Sequence, residues 1–324
     1  MNRIATKLSA VALQTVMIRS RRQQRRSHVE MKPAPFDYVA PTTVGEAVSA
    51  LRHCDGEAKL LAGGQSLMPL LNMRLARPGL VVDLGRVEGL DYIREGDGRL
   101  AVGAMTTKRT VEDSALVESR QPLLRAATLL IAHPQIRNRG TVGGSMAQAD
   151  PAAEYPAMAV ALEAELRAVG PDGERSIKAE DFFVTYLTTA LGPAEVLTEI
   201  SVPVRAERSG WAVTEVARRH GDFAIVGAAV TTTLDAGGHC ADTRIVLFGV
   251  GPGPVRPSGA EQIVNGERPG DELIRQAGQK ASQEIDEPQS DVHASAEYRR
   301  HLAGVLTRRG LAEAAARAAA SQAH

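Results

Sequence analysis

The stretch KLLAGGQSLMPLL, residues 59–71, decides the fold prediction for this chain. It begins with residues that favour a strand, passes through the adjacent glycines Gly63 and Gly64, and continues as an apolar run. Because apolar runs of this length and order are typical of buried elements, we predict a strand over 58–62 and a helix over 67–75.

The residues around this stretch extend the prediction. Ser66 is a favourable N-cap, and Pro69 would lie in the first helical turn, where its missing N–H does no harm. The run LVVDL at 80–84 suits a second buried strand, so the order strand–loop–helix–strand predicts a small βαβ unit. Upstream, Thr43 and Glu46 have the spacing of a capping box, which predicts a helix over 43–54.

A second glycine pair occurs in RGTVGGSMAQADPAAEYP, residues 139–156. Adjacent glycines permit positive φ and leave backbone N–H groups open to a ligand, and a following helix adds the positive end of its dipole. Such loops suit an anion such as a pyrophosphate, with hydroxyl donors from Ser66, Thr141 and Ser145. The alternative is that each pair forms an ordinary tight turn. Two loops of one pattern favour the ligand.

The rest of the chain alternates strands and helices. Turn residues at Gly96-Asp97-Gly98 and at Pro171-Asp172-Gly173 predict hairpins. Helices are predicted at 107–131, 157–166, 271–283 and 295–320, and further strands at 195–202, 211–218, 224–234 and 243–249. We predict an α+β domain with two lobes over 31–207 and a smaller α+β domain over 208–324.

Composition excludes several functions. The chain has 324 residues, with 38 basic and 38 acidic side chains and 3% aromatic residues, so it lacks the charge excess and the stacking residues of a nucleic-acid-binding protein. It has two cysteines, Cys54 and Cys240, whereas a [2Fe–2S] cluster requires four ligands. We expect both to be reduced rather than joined in a disulfide.

The first thirty residues differ from the rest. They contain no acidic residue before Glu30 and end in an Arg-rich cluster, and their apolar part at 8–18 is too short to span a bilayer. Because the charge follows the apolar run, the segment does not fit a secretory signal. We interpret 1–30 as a disordered basic extension or as sequence upstream of a start at Met31, and we expect a cytoplasmic protein without a transmembrane segment.

Familiar catalytic and nucleotide motifs are absent. There is no G-x-x-x-x-G-K-[ST], no G-x-G-x-x-G after a strand and no H-E-x-x-H. The segment GVGPGPVRPSG at 249–259 is interpreted as a structural turn. His133, which precedes a proline, is interpreted as a structural loop residue, and we expect neither catalytic side chains nor a metal site.

Two long segments resemble a known family. AGGQSLMPLLNMRLARPGLVVDL and AHPQIRNRGTVGGSMAQADPAAEYPA are similar to the two FAD-binding loops in the flavoprotein (medium) subunits of molybdenum hydroxylases, including the carbon monoxide dehydrogenase and xanthine dehydrogenase groups. The segment SDVHASAEYRRHLAGVLTRRGLAEA resembles the end of that family's second domain. The likeness implies a two-lobed FAD-binding domain of the PCMH (vanillyl-alcohol-oxidase) type, followed by the C-terminal domain of the carbon monoxide dehydrogenase flavoprotein.

The resemblance also implies the residues that bind FAD. Both glycine loops would face the pyrophosphate, Glu154 would bind a ribose or another polar part of FAD, and Ile131 and Leu197 would line the cofactor or simply pack in the core. The implied set is Ala62, Gly63, Gly64, Gln65, Ser66, Leu67, Ile131, Thr141, Val142, Gly143, Gly144, Ser145, Glu154 and Leu197. Tyr186 is placed near the isoalloxazine.

The family implies an electron relay on partner chains. A molybdenum-cofactor large subunit would oxidise the substrate, a [2Fe–2S] small subunit would pass electrons to FAD, and FAD would deliver them to an external acceptor, in a heterotrimer. Two departures stand out: Thr214 replaces a Lys of the xanthine dehydrogenases, and Gln65 replaces a His of carbon monoxide dehydrogenase. The alternatives are a self-sufficient flavin oxidase and a non-redox nucleotide-binding protein.

Overall fold

Sheets and helices alternate along the chain, and their order places the two glycine loops side by side. The computed structural model describes residues 32–54, 57–286 and 288–321. The prediction for residues 1–30 therefore lies outside the described residues.

The strands are β1 (Asp37–Val39), β2 (Ala58–Leu61), β3 (Leu80–Asp83), β4 (Ile93–Gly96), β5 (Arg99–Gly103), β6 (Glu165–Gly170), β7 (Gly173–Lys178), β8 (Phe183–Thr185), β9 (Thr188–Thr189), β10 (Val196–Pro203), β11 (Ser209–Val216), β12 (Val226–Leu234) and β13 (Cys240–Phe248). The helices are α1 (Val44–Arg52), α2 (Leu67–Asn72), α3 (Lys108–Asp113), α4 (Ala115–Arg120), α5 (Pro122–Leu130), α6 (Pro134–Arg137), α7 (Val142–Gln148), α8 (Glu154–Ala161), α9 (Ala179–Phe182), α10 (Ser258–Val264), α11 (Asp271–Gln283) and α12 (Ala296–Ala320). Among the described residues, no helix is long and apolar enough to cross a membrane.

The predicted βαβ unit is present. β2 and β3 pair in parallel, with α2 between them, and β1 adds a third parallel strand on the other side of β3. The capping box before α1 is also confirmed: the Thr43 hydroxyl accepts a hydrogen bond from the Glu46 N–H, and the Glu46 carboxylate bonds the Thr43 N–H. A cap of this kind contributes about 1 kcal/mol of stability.

Helix α2 differs from the prediction at both ends. Ser66 has helical backbone angles and makes no capping bond, because helical hydrogen bonding already begins with Met68 N–H donating to Gly64 O. The helix ends at Asn72 rather than at residue 75. Arg74 has φ +59, and the Leu75 N–H folds back to Leu70 O, which closes the helix.

A five-stranded antiparallel sheet forms the centre of the first half, in the order β4-β5-β10-β6-β7. Both predicted hairpins are confirmed, and they join β4 to β5 and β6 to β7. Asp97 and Gly98 have φ +51 and +71, the angles that a tight two-residue hairpin turn requires.

The helical region predicted at 107–131 is divided into three helices. Ser114 ends α3 and begins α4, where its hydroxyl accepts the Val117 N–H. Pro122 then begins α5 at a position that needs no N–H donor. The helix predicted at 157–166 is α8, which begins three residues earlier, at Glu154, with Pro156 in its first turn.

The antiparallel sheet β11-β12-β13 dominates the second half, and its strands alternate in side-chain direction. Ala229 and Val246 join the core of the first half, whereas Val230 and Ile245 pack against α10, α11 and α12. All eight residues of α8 are buried, because this helix lies between the first-half core and β12 and β13. Helix α10 corrects the prediction of a turn through residue 259, since it begins at Ser258.

The contact between α12 and β11 predicts the effect of a single methyl group. A Cβ added at Gly210 would lie 1.8 Å from Ala314 O, so Gly210→Ala forces the helix off the sheet. We expect a loss of about 1–3 kcal/mol in the free energy of unfolding, measured by urea denaturation.

Gly45 provides the matched control. It lies within α1 with no atom within 4 Å of its added Cβ, so Gly45→Ala should leave stability unchanged or raise it by up to about 1 kcal/mol. Equal destabilisation by both variants would contradict the packing argument.

Candidate functional site

The two glycine loops touch each other through their backbones. A Cβ added at Gly63 would lie 2.1 Å from Arg139 O, and one added at Gly144 would lie 3.5 Å from Ala62 Cβ. Glycine is therefore required at Gly63 by the close approach of the second loop rather than by positive φ. The structure thus brings the two predicted loops into one site.

The first loop carries free donors. Gly64 has φ +74, and the Gln65 side-chain amide donates to Gly63 O at 3.0 Å, which fixes the turn. Within the described part of the chain, the N–H groups of residues 63–67 donate to no protein acceptor. Consecutive N–H groups of this kind form a concave anion-binding site.

The second loop corrects the sequence prediction. Its glycines lie in the first turn of α7, and neither has a positive φ. The N–H of Val142 donates to Thr106 O, that of Gly143 to Ala104 O, and that of Gly144 to the Thr141 hydroxyl. Because residues 104–107 run alongside this loop, its N–H groups are already bonded, and the prediction of two sets of free donors holds only for the first loop.

Hydroxyl groups are what the second loop can offer a ligand. Thr141 Oγ1 accepts the Gly144 N–H at 3.1 Å and still has its own proton to donate. Ser145 is half-buried on the same turn, and the Ser66 residue of the first loop is exposed. These hydroxyls, with the first loop's N–H groups, are a donor set that fits a diphosphate.

Glu154 begins α8 in an unusual environment. It is 4% exposed, and burial raises the pKa of its carboxyl to about 7, partly offset by its own N–H and by the charge of Lys108. Lys108, the first residue of α3, is 8% exposed, and burial lowers the pKa of its ammonium to about 8. The Glu154 carboxyl and the Lys108 ammonium are thus both shielded from water and close enough to interact electrostatically.

Sequence reasoning missed Lys108 and Glu215. Burial and the charge of Glu154 raise the pKa of Glu215 to about 8, and burial also raises the pKa of Asp150. Lys108 stands in the polar run TTKRT, which reads as an exposed helix start. Glu215 offered a weak signal, because it is a carboxyl within the strand β11.

The remaining predicted residues lie at the edges of this arrangement. Ile131 and Leu197 are 6% and 4% exposed and belong to the core cluster of the first half, so their contact with a cofactor stays a prediction. Tyr186 is 40% exposed at the tip of the β8–β9 hairpin, which packs through β9 against α7. Thr214 donates its hydroxyl proton to Leu306 O.

His133 lies against the turn that contains Gly221, and its interpretation as a structural loop residue stays a prediction. Its exposed ring lies where a Cβ on Gly221 would approach within 2.7 Å, and Gly221 has φ +85. This contact joins the segment before the second loop to the turn between β11 and β12. Among the described residues, no cluster of His, Cys, Asp or Glu could hold a metal ion, and both cysteines are free thiols.

A cavity of about 430 Å³ opens one helical turn before Glu154. Asp150 lies on one wall, and Arg218, Asp222 and Arg299 lie on the others. None of the fourteen FAD-binding residues implied by the sequence lines this cavity. Its lining includes Ile225 and Gly249, at the ends of β12 and β13, so the cavity belongs to the side of the C-terminal sheet.

The residues present fit a dinucleotide such as FAD. The first loop offers N–H donors around a positive-φ glycine, the second offers hydroxyls, the carboxyl of Glu154 is buried, and Oε2 of Glu215 has no hydrogen-bond partner among the described residues. A diphosphate needs such donors, and sugar hydroxyls suit carboxylates.

The buried carboxyls predict a pH dependence for the flavin-free chain. Their folded pKa values, about 7 for Glu154 and about 8 for Glu215, lie above the ordinary value of 4.5. The folded state therefore keeps protons that the unfolded state releases near pH 4.5, so the free energy of unfolding should fall as pH rises from 4.5 to 8. Because the pKa of the Lys108 ammonium is lowered in the folded state, this residue makes the free energy of unfolding rise with pH above pH 8.

Urea denaturation between pH 5 and 8 measures this slope. A Glu154→Gln/Glu215→Gln double variant should show a shallower decline than wild type, since glutamine does not titrate. An unchanged slope in that variant would show that other groups cause it.

Comparison with known proteins identifies the family. Residues 34–205 match the FAD binding domain in molybdopterin dehydrogenase, and residues 211–314 match the CO dehydrogenase flavoprotein C-terminal domain. The chain is 43% identical over 288 residues to the 6-hydroxypseudooxynicotine dehydrogenase complex subunit alpha of Paenarthrobacter nicotinovorans, an alignment covering 89% of this chain and 97% of that protein.

Comparison with solved structures supports the same family. Carbon monoxide dehydrogenase from Hydrogenophaga pseudoflava contains a chain with a TM-score of 0.86 and 39% identity, covering 88% of this chain and 99% of that one. Quinoline 2-oxidoreductase from Pseudomonas putida 86 gives a TM-score of 0.84 at 36% identity, over 89% and 99%. The chain therefore belongs to the family of FAD-binding medium subunits of molybdenum hydroxylases, which includes the carbon monoxide dehydrogenase medium chains.

Proposed function

We propose that this FAD-binding subunit transfers electrons within a molybdenum hydroxylase complex. It would accept them from a [2Fe–2S] small subunit, after a molybdenum-cofactor large subunit oxidises the substrate, and pass them to an external acceptor. The observation that carries this proposal is the pairing of a dinucleotide site with only two, widely separated cysteines, Cys54 and Cys240. The chain has too few thiolates for an iron–sulfur cluster of its own.

The residues of the chain bind and orient the cofactor in this proposal. The N–H groups of residues 63–67 and the hydroxyls of Thr141 and Ser145 hold the diphosphate, and Glu154 accepts hydrogen bonds from sugar hydroxyls. When bound, FAD supplies the redox chemistry, taking up electrons singly and delivering them in pairs. Ile131 and Leu197 form the apolar side of the site.

Exposed apolar side chains support assembly with partner chains. Met73 and Leu75 are 56% and 71% exposed directly after α2, and Phe223 is 62% exposed beside the cavity. Such side chains on both sides of the site suit contacts with other subunits. We propose a cytoplasmic heterotrimer of medium, large and small subunits.

The first experiment is an absorption spectrum of the purified chain with its released cofactor identified by mass. We expect flavin bands and released FAD, no oxidation of small substrates by the chain alone, and substrate-dependent flavin reduction when the partner subunits co-purify. Turnover by the isolated chain would favour a self-sufficient flavin oxidase. A colourless chain that cannot be reconstituted would favour a non-redox nucleotide-binding protein.

The first loop predicts a specific loss of FAD. Gly64→Ala places a side chain at φ +74, where L residues are strained, within the loop whose N–H groups face the ligand. We expect the FAD dissociation constant to rise at least about tenfold, because misdirected N–H groups lose charge-assisted hydrogen bonds. Titration of the flavin-free protein with FAD measures this.

Gly89 supplies the control for backbone strain. It has φ +76 and no atom within 4 Å of its added Cβ, so Gly89→Ala imposes the same penalty away from the loops. If Gly89→Ala weakens FAD binding as much as Gly64→Ala does, the effect is one of general stability and the loop assignment fails.

A further inference from the structure

Three ionisable side chains from separate elements gather around Glu154. Lys108 comes from α3, Asp150 from the segment before α8, and Glu215 from β11 in the C-terminal sheet. Each interacts electrostatically with the Glu154 carboxyl. The cluster therefore joins the region of the second glycine loop to the C-terminal sheet.

The bonding of this cluster is incomplete. Lys108 and Glu154 are nine-tenths or more buried, yet within the described residues no nitrogen–oxygen distance of 4.0 Å or less joins them. Among the described residues, no other residue donates a hydrogen bond to the Glu154 carboxyl, which bonds its own N–H, and the Lys108 ammonium lies 5.5 Å from the centre of the Tyr155 ring. Oε2 of Glu215 is sealed from solvent and also has no partner in the described chain.

Such an arrangement is costly unless something else completes it. A buried ammonium and a buried carboxyl of opposite charge normally form a direct ion pair, because each loses its hydration on burial. Here the Lys108 ammonium and the Glu154 carboxyl interact electrostatically without forming a direct ion pair. Oε2 of Glu215, which also interacts with Glu154, has no hydrogen-bond partner among the described residues. Lys108, Glu154 and Glu215 thus resemble the polar lining of a ligand-binding site.

The cluster stands directly beside the two glycine loops. The Lys108 N–H donates to Gly140 O at 2.8 Å. A Cβ placed on Gly140 would lie 3.6 Å from Lys108 Cδ and 3.7 Å from Gln65 Cγ. The lysine stem and the first loop therefore flank the same glycine, and the ammonium extends from there towards Glu154.

The chemistry of Lys108, Glu154 and Glu215 indicates which part of FAD they would hold. The ammonium needs an acceptor, and the two carboxylates need donors. A hydroxyl group both accepts and donates, and adjacent sugar hydroxyls can serve all three groups at once. A diphosphate has no proton to donate at neutral pH and would be repelled by the carboxylates, and the oxidised isoalloxazine has a single N–H.

We propose that Lys108 and Glu215 are further FAD-binding residues, which together with Glu154 hold sugar hydroxyls of the cofactor. The Lys108 ammonium donates a hydrogen bond to a hydroxyl oxygen, and the Glu154 and Glu215 carboxyls accept hydrogen bonds from hydroxyl groups. Because Glu215 belongs to the C-terminal sheet, the cofactor contacts both halves of the chain. The inference rests on FAD binding by this chain, and it extends the site beyond the two loops.

Titration of the flavin-free protein tests the proposal. Lys108→Met, Glu154→Gln and Glu215→Gln should each raise the FAD dissociation constant about tenfold or more, since each removes a charge-assisted hydrogen bond. Lys178→Met and Glu207→Gln, at exposed positions, are matched controls and should change it less than twofold. Unchanged FAD affinity in all three cluster variants would overturn the proposal, whereas a wild-type chain that binds no FAD would overturn FAD binding itself.

Thermal unfolding of the same flavin-free variants separates binding from structure. Glu215→Gln should unfold at the wild-type temperature or above, because glutamine keeps the size of the side chain and removes the cost of ionising a carboxyl in a largely buried position. Weaker FAD binding without loss of stability supports a ligand contact. A large drop in unfolding temperature, with FAD binding weakened only in proportion, would mean that Glu215 is structural.

Cofactor fragments identify the hydroxyls. Riboflavin carries the ribityl chain without the diphosphate, and ADP carries the ribose with it. If the variants weaken riboflavin binding, the cluster holds the ribityl chain; if they weaken ADP binding but not that of inorganic pyrophosphate, it holds the ribose. Weakened binding of pyrophosphate itself by Lys108→Met would overturn the assignment to hydroxyls.

Discussion

The complete burial of one short helix, α8, is the constraint on which the rest of the structure depends. A helix normally keeps a polar face for solvent, but all eight residues of α8 are enclosed. This is possible because the first-half core packs on one side and the sheet β11-β12-β13 on the other, with Ala229 and Phe248 joining the same apolar cluster as Tyr155. The two halves thus share one core, and the N-terminus of α8 marks the point where both meet the glycine loops.

This enclosure explains the electrostatics of the site. Glu154 begins α8, so its carboxyl is buried together with the helix, and the neighbouring Lys108 and Glu215 are withdrawn from water by the same packing. Ion pairs between the halves lie elsewhere: Arg244 bonds Glu163 at 2.5 Å and Glu180 at 3.3 Å. In the proposed site, by contrast, Lys108 and Glu154 would bond the cofactor.

Local chemistry made much of the fold predictable from sequence. The capping box at Thr43, the turn at Asp97 and Gly98, and the extent of α11 follow from side-chain and backbone preferences within a few residues. The glycine loops were also identifiable, because two loops of one pattern, Gly-Gly followed by a polar residue, occur within the first predicted domain. What failed were helix boundaries, such as the end of α2 at Asn72, which is closed by Arg74 at φ +59.

The site itself was predictable only in part. Sequence could locate both loops but not show that Ala104 and Thr106 occupy the second loop's N–H groups, since that pairing joins residues almost forty positions apart. Lys108 and Glu215 likewise meet at Glu154 only through long-range packing. A lone lysine in a polar run or a lone glutamate in a strand carries no local signal of its depth, so neither could be found without the fold.

The position of α12 in the chain has a consequence for biosynthesis. This helix covers β11 and β12, with Gly210 against Ala314, and its Arg299 donates to Ile225 O and Gly249 O at the ends of β12 and β13. The ribosome makes all three strands before it makes the helix that covers them. During translation the part of the sheet that α12 covers is therefore bare, and a nascent chain paused before α12 is the species that a chaperone would have to shield from aggregation.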